Sequence, residues 1–244
     1  MSVSELTMFT DEQHAVWRAL FARQLPRVRR LACSAYLEGW DLLALPADRI
    51  PRLAELNERI TPRTGWRTVR TSVRYTDAVP WYRRFARREF LVTDYMRSRD
   101  ELEFTPEPDM FHDIFGHLPF MTLPRYAALE EMFAPAFLRA SDEQREHIKR
   151  LAWYSTEFGI IREGGELRAF GAGLLSSIAE LESAMSGAVP IVPFTIESVI
   201  GYEKAVWSHN EVLFVFDSIE ALMTELDRYF AGIRGARHER ALAG

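Results

Sequence analysis

Two histidines stand five residues apart in an apolar stretch, Glu107-Pro-Asp-Met-Phe-His-Asp-Ile-Phe-Gly-His117. Neutral imidazole is the commonest protein metal ligand, so the pair raises the question of a metal centre. The spacing is not that of a zinc peptidase, whose His-Glu-x-x-His places both rings one turn apart on a helix face. A gap of five leaves them about 140° apart on an ideal helix. Both reach one ion only where the helix ends or distorts, and Gly116 and Pro119 offer a place for that. Asp113 stands where a zincin has its general-base glutamate, on a shorter side chain. On spacing alone, a pair of hydrogen-bonded core histidines fits equally well. A third ligand would be a carboxylate in apolar surroundings, where burial without compensation is costly. Glu157, inside Leu151-Ala-Trp-Tyr-Ser-Thr-Glu-Phe-Gly-Ile-Ile161, meets that description. Two histidines and one carboxylate make the facial triad that holds non-haem Fe(II) and leaves positions open.

The elements that would carry these residues are mainly helical. Val16, Leu20, Leu25, Val28, Leu31 and Ala35 recur at helical spacing over 11–45, with Pro26 breaking or restarting the helix. Further helices are expected over Ala47–Ile60, 79–88, 124–138, 142–158, Leu174–Ser186 and Ser218–Phe230, and one starting between Pro106 and Pro108 with Asp109 near its N-terminus. Ser141 is a suitable N-cap, with Asp142 and Glu143 in the first turn after it. Short strands are expected at Phe90–Thr93, over 206–216, and in a hairpin over Arg162–Phe170 with Gly164-Gly165 at its turn. Residues 66–76 are β-prone, as a strand or a loop. The fold class is mainly α with a few short strands. No repeat or long linker divides 1–244, so one catalytic domain is expected, frayed over 1–10 and 233–244.

Bulk properties narrow the function classes. Lysine plus arginine total 30 against 35 acidic residues, a formal charge of −5, which gives no support for a nucleic-acid partner. The cluster Arg83, Arg84, Arg87 and Arg88 reads as a solvated helix face beside Asp77 and Glu89. Cys33 is the only cysteine, so neither an intramolecular disulfide nor a thiolate metal cage is available. No apolar run approaches the roughly 20 residues that span a bilayer, and residues 1–11 show no secretory pattern. The expectation is a cytoplasmic protein without membrane contact.

The longer motifs identify a relationship. Thr105-Pro-Glu-Pro-Asp-Met-Phe-His-Asp-Ile-Phe-Gly-His-Leu-Pro119 resembles the iron-binding signature of the pterin-dependent aromatic amino acid hydroxylases. Thr156-Glu-Phe-Gly159 and Phe170-Gly-Ala-Gly-Leu-Leu-Ser-Ser-Ile-Ala-Glu180 match two further stretches of that family in order, and Leu45–Asn57 with Thr64-Gly-Trp66 resembles its compact bacterial members. The resemblance covers roughly residues 40–230. It implies that His112, His117 and Glu157 bind iron, and that Arg97 pairs with the substrate carboxylate, supported by Asp109; Arg99 is a rival for that task. It implies Thr105 and Ser176 at the amino acid's backbone groups, and Pro108, Trp153, Phe158 and Gly173 around its ring. Ser177 and Glu180 would steady the iron ligands, and Trp81 and Asp113 would contact the pterin.

The activity implied is ring hydroxylation of an aromatic L-amino acid, with Fe(II), O2 and a tetrahydropterin that supplies two electrons and takes one oxygen atom. Phenylalanine is the favoured substrate, at the para or meta position, with tryptophan possible. A metal-dependent hydrolase and a non-catalytic amino-acid-binding protein are the competing classes. No regulatory or oligomerisation segment is recognised, so a monomer or weak oligomer is expected. Two departures stand out: Val73-Arg-Tyr-Thr-Asp-Ala-Val79 lacks the Gly-Leu pattern of the family's pterin loop, and Ala152 stands where the family usually places a tyrosine.

Overall fold

The computed structural model describes residues 9–102, 105, 107–203 and 210–233. Helix α1 (Asp11–Leu31) starts at Thr10, whose side chain caps Gln13 in a reciprocal box. It runs through Pro26, contrary to the expected break. Proline costs one backbone bond, but Phe21, Gln24 and Val28 are buried on both sides of it, and Gln24 donates to Leu175 O at 2.7 Å. The interruption falls later, where Cys33 N–H donates to Ala169 O and the extended chain bridges to the hairpin. Helix α2 (Ser34–Leu43) follows.

Helix α3 spans Leu53–Thr64, displaced from the expected Ala47–Ile60. Pro51 explains the shift, because it disfavours helical backbone at Ile50. The helix ends at Gly65, φ +75°, a conformation glycine adopts without strain. Strand β1 (Arg67–Thr71) pairs in parallel with β2 (Glu89–Thr93), joined by α4 (Ala78–Phe85). The expected arginine face is partly engaged: Arg84 pairs with buried Glu89, and Arg88 with Glu131.

The helix expected after Pro106 and Pro108 begins at Met110, and Pro106 itself lies outside the described residues. Residues His112–His117 form a π-helical segment that continues into α5 (Leu118–Met121). Helix α6 (Pro124–Arg139) is followed by α7 (Asp142–Ala152), capped by Ser141. The helix expected to run to 158 instead changes pitch into a second π-helical segment, Trp153–Glu157. Strands β3 (Ile160–Glu163) and β4 (Glu166–Ala169) form the expected hairpin, with positive φ at Gly164 and Gly165.

The helix expected over Leu174–Ser186 is two helices, α8 (Ala172–Ser176) and α9 (Ile178–Met185). Ser177 is extended between them and caps α9 by accepting Glu180 N–H. Strand β5 (Ile191–Pro193) and helix α10 (Ile196–Ile200) have no counterpart in the sequence reading; three and five residues are too few to display a period. Of the strand expected over 206–216, β6 is Leu213–Phe216, and 206–209 lie outside the described residues. Helix α11 (Ile219–Ala231) closes the fold on its Ser218 cap. The larger sheet has the order β4-β3-β6-β5. The tails expected to fray, apart from Phe9, Thr10 and Ile233, also lie outside the described residues.

An aromatic core backs the first π-helical segment. Phe111 stacks on Phe115 at 4.5 Å, and Phe120 on Tyr126 at 4.4 Å. Tyr36, from α2, donates its hydroxyl to Phe115 O, occupying a carbonyl within the altered helix. Among the described residues no helix is long and apolar enough to cross a membrane.

Candidate active site

The two π-helical segments carry all three candidate ligands. An i→i+5 closure returns residue i+5 over residue i. The distortion anticipated near Gly116 is therefore a change of pitch along His112–His117, which brings residues five apart together. His112 Nε2 and His117 Nε2 are 3.2 Å apart. Glu157 arrives from the end of the second segment, with Oε1 3.1 Å from His117 Nε2 and Oε2 3.6 Å from His112 Nε2. One ligand atom from each lies within 4.8 Å of the others. The approach depends on glycine at two places. A Cβ on Gly116 would lie 2.7 Å from Ala172 O, and one on Gly173 would lie 2.6 Å from Phe158 Cζ.

The donor set suits a cation. Ser176 Oγ donates to Ala172 O at 2.8 Å, so towards His112 Nδ1, also at 2.8 Å, it acts as acceptor. That fixes the proton on Nδ1 and leaves the Nε2 lone pair directed at the cluster. Burial, offset in part by Glu157, lowers the His112 pKa to about 4. Burial alone would raise the Glu157 pKa, but contact with His117 outweighs it and holds the carboxyl at about 2. For His117, burial opposes protonation, and the attraction of Glu157 prevails and raises its pKa. Two neutral-capable imidazoles and an ionised carboxylate, converging at a partly buried place, are the chemistry of an iron(II) site with open positions.

The triad lies in a cavity of about 380 Å³ lined from several elements. On one wall Arg97, 7% exposed, is gripped by fully buried Asp109, with Nε and Nη2 at 2.8 and 3.0 Å from its two oxygens. Asp109 also accepts the backbone N–H groups of Arg97 and His112. The clamp and the ligand segment are thus tied to one carboxylate. Arg99, the rival, pairs with Glu12 on the surface and does not line the cavity. Thr105, Pro108, Trp153, Phe158, Gly173 and Ser176 also line it; the Trp153 and Phe158 rings are 4.7 Å apart. Thr105 Oγ1 donates to Glu107 O. Ser177 and Glu180 reach the cavity, and the Ser177 hydroxyl serves as the α9 cap.

Trp81 and Asp113 line the cavity on the side of β1, β2 and α4. Trp81 packs on Phe85 and Phe90, at 4.8 and 5.4 Å. Asp113 accepts Thr93 N–H at 2.8 Å, and burial nevertheless pushes its pKa up to about 7. Of the two departures in the sequence, residues 73–76 and Ala78 of the 73–79 segment and Ala152 also line the cavity. Of the residues expected at the site, Asp109 alone does not line the cavity. Tyr82, Glu130 and Lys149 line it without having been anticipated. Glu130 carried the same signal that marked Glu157, a carboxylate among apolar residues (Leu129, Met132, Phe133), in a helix that otherwise reads as amphipathic.

Comparison with known proteins agrees with this geometry. The sequence profile described as biopterin-dependent aromatic amino acid hydroxylase matches residues 3–238. Phenylalanine-4-hydroxylase of Mesorhizobium japonicum is 39% identical over 222 residues, covering 88% of this chain and 78% of that one. The apo structure of the cold-active phenylalanine hydroxylase of Colwellia psychrerythraea superposes with a TM-score of 0.84 at 31% identity, over 91% of this chain and 89% of the other. The Chromobacterium violaceum phenylalanine hydroxylase with bound iron(III) and oxidised 7,8-dihydrobiopterin gives 0.85 at 31% identity, over 93% and 85%.

Proposed function

The chain belongs to the biopterin-dependent aromatic amino acid hydroxylases, and from that premise we propose that it hydroxylates L-phenylalanine at the para position. The family membership makes it an iron- and tetrahydropterin-dependent aromatic amino acid monooxygenase. The observation that carries the substrate reading is the buried Arg97–Asp109 pair beside the triad, next to an apolar pocket. A planar guanidinium held by one carboxylate is preset to receive another bidentately. The pocket of Pro108, Trp153, Phe158 and Gly173 takes a flat ring. The relatives' names supply the substrate and the ring position.

In this reading His112, His117 and Glu157 hold the iron. When bound, the ferrous ion and the tetrahydropterin together supply oxygen activation and the two electrons that accompany the second oxygen atom. The protein's own contribution is position and dryness. Arg97 binds the substrate carboxylate and Asp109 keeps Arg97 in place. Thr105 and Ser176 meet the amino acid's backbone groups. Trp153 and Phe158 orient the ring and exclude water from it. Ser177 and Glu180 steady the ligand segments, while Trp81 and Asp113 face the cofactor. Residues 1–244 act as one catalytic domain, as a monomer or weak oligomer, consuming O2 with no nucleic-acid or membrane partner. Its compartment is the reducing cytoplasm, where buried Cys33, with a pKa pushed up to about 12, stays a thiol.

The test is product analysis by liquid chromatography and mass spectrometry. Protein loaded with Fe(II) is given O2, tetrahydrobiopterin and, separately, phenylalanine, tyrosine or tryptophan. The expected result is phenylalanine gaining one oxygen atom and co-eluting with the para standard. Co-elution with the meta standard overturns the ring position, and product from tryptophan alone overturns the substrate. No product from any of the three, with iron bound, overturns the reaction.

A further inference from the structure

The same cavity is lined by a carboxylate, Glu130, that has no part in the proposed reaction. Glu130, on α6, is 5% exposed and lines the cavity. Its Oε1 accepts the Tyr126 hydroxyl at 2.9 Å. Among the described residues no other hydrogen bond or ion pair reaches it. Tyr82, from α4, is also buried, lines the same cavity, and its hydroxyl has no partner among the described residues. The Tyr82 ring is fixed by stacking on Phe137 of α6 at 4.3 Å, so the two helices hold both polar groups against one void. The cations that line the cavity are paired elsewhere: Lys149 with Glu146, Arg74 with Glu107 and Arg97 with Asp109.

A buried carboxylate with one hydrogen bond is expensive to keep, and burial accordingly pushes the Glu130 pKa up to about 7. A ligand that brings hydrogen-bond donors would offset that cost. The two groups are complementary in kind: Glu130 accepts and the Tyr82 hydroxyl can donate. An aminopyrimidinone edge presents N–H donors next to a carbonyl acceptor, whereas the ring of phenylalanine presents neither. Trp81, adjacent to Tyr82 in the chain, adds an aromatic surface on the same side. We propose that Glu130 and Tyr82 form the recognition site for the aminopyrimidinone edge of the tetrahydropterin, Glu130 accepting its N–H and Tyr82 donating to its carbonyl. This rests on the reading of the chain as a pterin-dependent enzyme.

The test is anaerobic titration calorimetry on the iron-loaded protein. The ligands, 7,8-dihydrobiopterin, phenylalanine and tyrosine, are titrated separately into wild type, Glu130→Gln, Glu130→Met and Tyr82→Phe. A hydrogen bond to a charged group predicts that Glu130→Met weakens dihydrobiopterin binding about tenfold or more. Tyr82→Phe should weaken it less, and phenylalanine should bind all variants within about twofold of wild type. That unchanged phenylalanine affinity also shows that the variants are folded. Dihydrobiopterin binding within twofold of wild type in both Glu130 variants overturns the proposal. So does a loss confined to tyrosine, which would make the subsite one for the substrate ring. If wild type binds phenylalanine but not dihydrobiopterin, the pterin reading fails and the proposal with it, an outcome distinct from failure at Glu130 alone.

Discussion

The two walls of the cavity handle buried charge in opposite ways. Beside Arg97, Asp109 is fully buried, yet it accepts two bonds from the Arg97 guanidinium and two from backbone N–H groups. On the other side Glu130 is nearly as buried and accepts one bond, from a tyrosine. A saturated carboxylate is a structural anchor that presets its neighbour. A half-saturated one stores a cost that a ligand can relieve. The difference shows which wall is built before the ligands arrive and which is completed by them. The triad lines the same cavity.

The largest expected effect removes that shared centre. Glu157→Ala deletes the acidic member of the candidate triad and leaves His112 and His117 facing each other at 3.2 Å. Iron content after reconstitution should fall to background, and turnover by about a thousandfold or more, on the scale of losing an essential catalytic group. Retained iron with retained turnover would remove Glu157 from the triad and dissolve the comparison of walls around it.

The second effect reads the unsatisfied wall directly through stability. The Glu130 pKa is raised from an ordinary value near 4.5 to about 7. The folded state therefore binds the proton more tightly than the unfolded state. Its contribution is fully present below about pH 4.5 and is lost as pH rises through 7. Across that window the loss is about 3 kcal/mol. In metal-free protein, Glu130→Gln should flatten this part of the decline, so denaturant melts at pH 5 and 8 should differ less than in wild type. Asp113, raised to about 7 by burial, slopes the same way and is present in both proteins. Equal pH slopes in the two proteins would mean that Glu130 is already satisfied in the folded state.

How much of this was legible in the sequence follows the same division. The candidate metal ligands and most of the residues proposed to bind the substrate sit in three contiguous motifs, where residue type and order travel together. Asp109, Gly173 and Ser176 were nameable in advance for that reason, and Arg97 by its place fifteen residues before His112. The other wall is assembled from single residues of α4, α6 and α7, brought together only by helix packing. Tyr82 has no local pattern that separates it from an ordinary amphipathic helix, and the apolar surroundings of Glu130 were a signal that no neighbouring motif reinforced. The pitch of 112–117 is a middle case. A gap of five demanded a distortion, but whether it would be a helix end or a π-helical segment depended on packing that the spacing does not encode, including the Tyr36 hydroxyl on Phe115 O. Pro26 shows the limit from the other direction. A local rule for breaking a helix lost to the burial of Phe21, Gln24 and Val28.

The third effect breaks the saturated wall while keeping its charge. Arg97→Lys retains one positive charge but loses the fork that Asp109 grips through Nε and Nη2. The loss should be about 2 kcal/mol, roughly thirtyfold in kcat/KM for phenylalanine, and carried mainly by KM. Pterin oxidised per product formed should rise, because a poorly seated ring is hydroxylated less often per turnover. A Lys variant with unchanged KM and unchanged coupling would mean that the carboxylate is bound elsewhere.

The smallest effect concerns the hinge between wall and metal. Ser176 Oγ accepts from His112 Nδ1 while donating to Ala172 O, both at 2.8 Å. Removing the hydroxyl leaves all three ligands in place but releases the ring orientation and the tautomer that aim Nε2 at the cluster. Loss of such a supporting bond weakens metal binding by about tenfold. Ser176→Ala should therefore need about ten times more free Fe(II) for half-maximal reconstitution. Fully loaded enzyme should keep its pterin affinity. The substrate's KM should rise to the extent that the hydroxyl also meets the amino acid. Ser176→Thr, which keeps the hydroxyl, should restore the iron affinity if its extra methyl fits the cavity. An iron titration unchanged in Ser176→Ala would show that packing alone, through Phe90 against the His117 ring at 5.0 Å and the fixed π-helical backbone, is enough to aim the imidazoles.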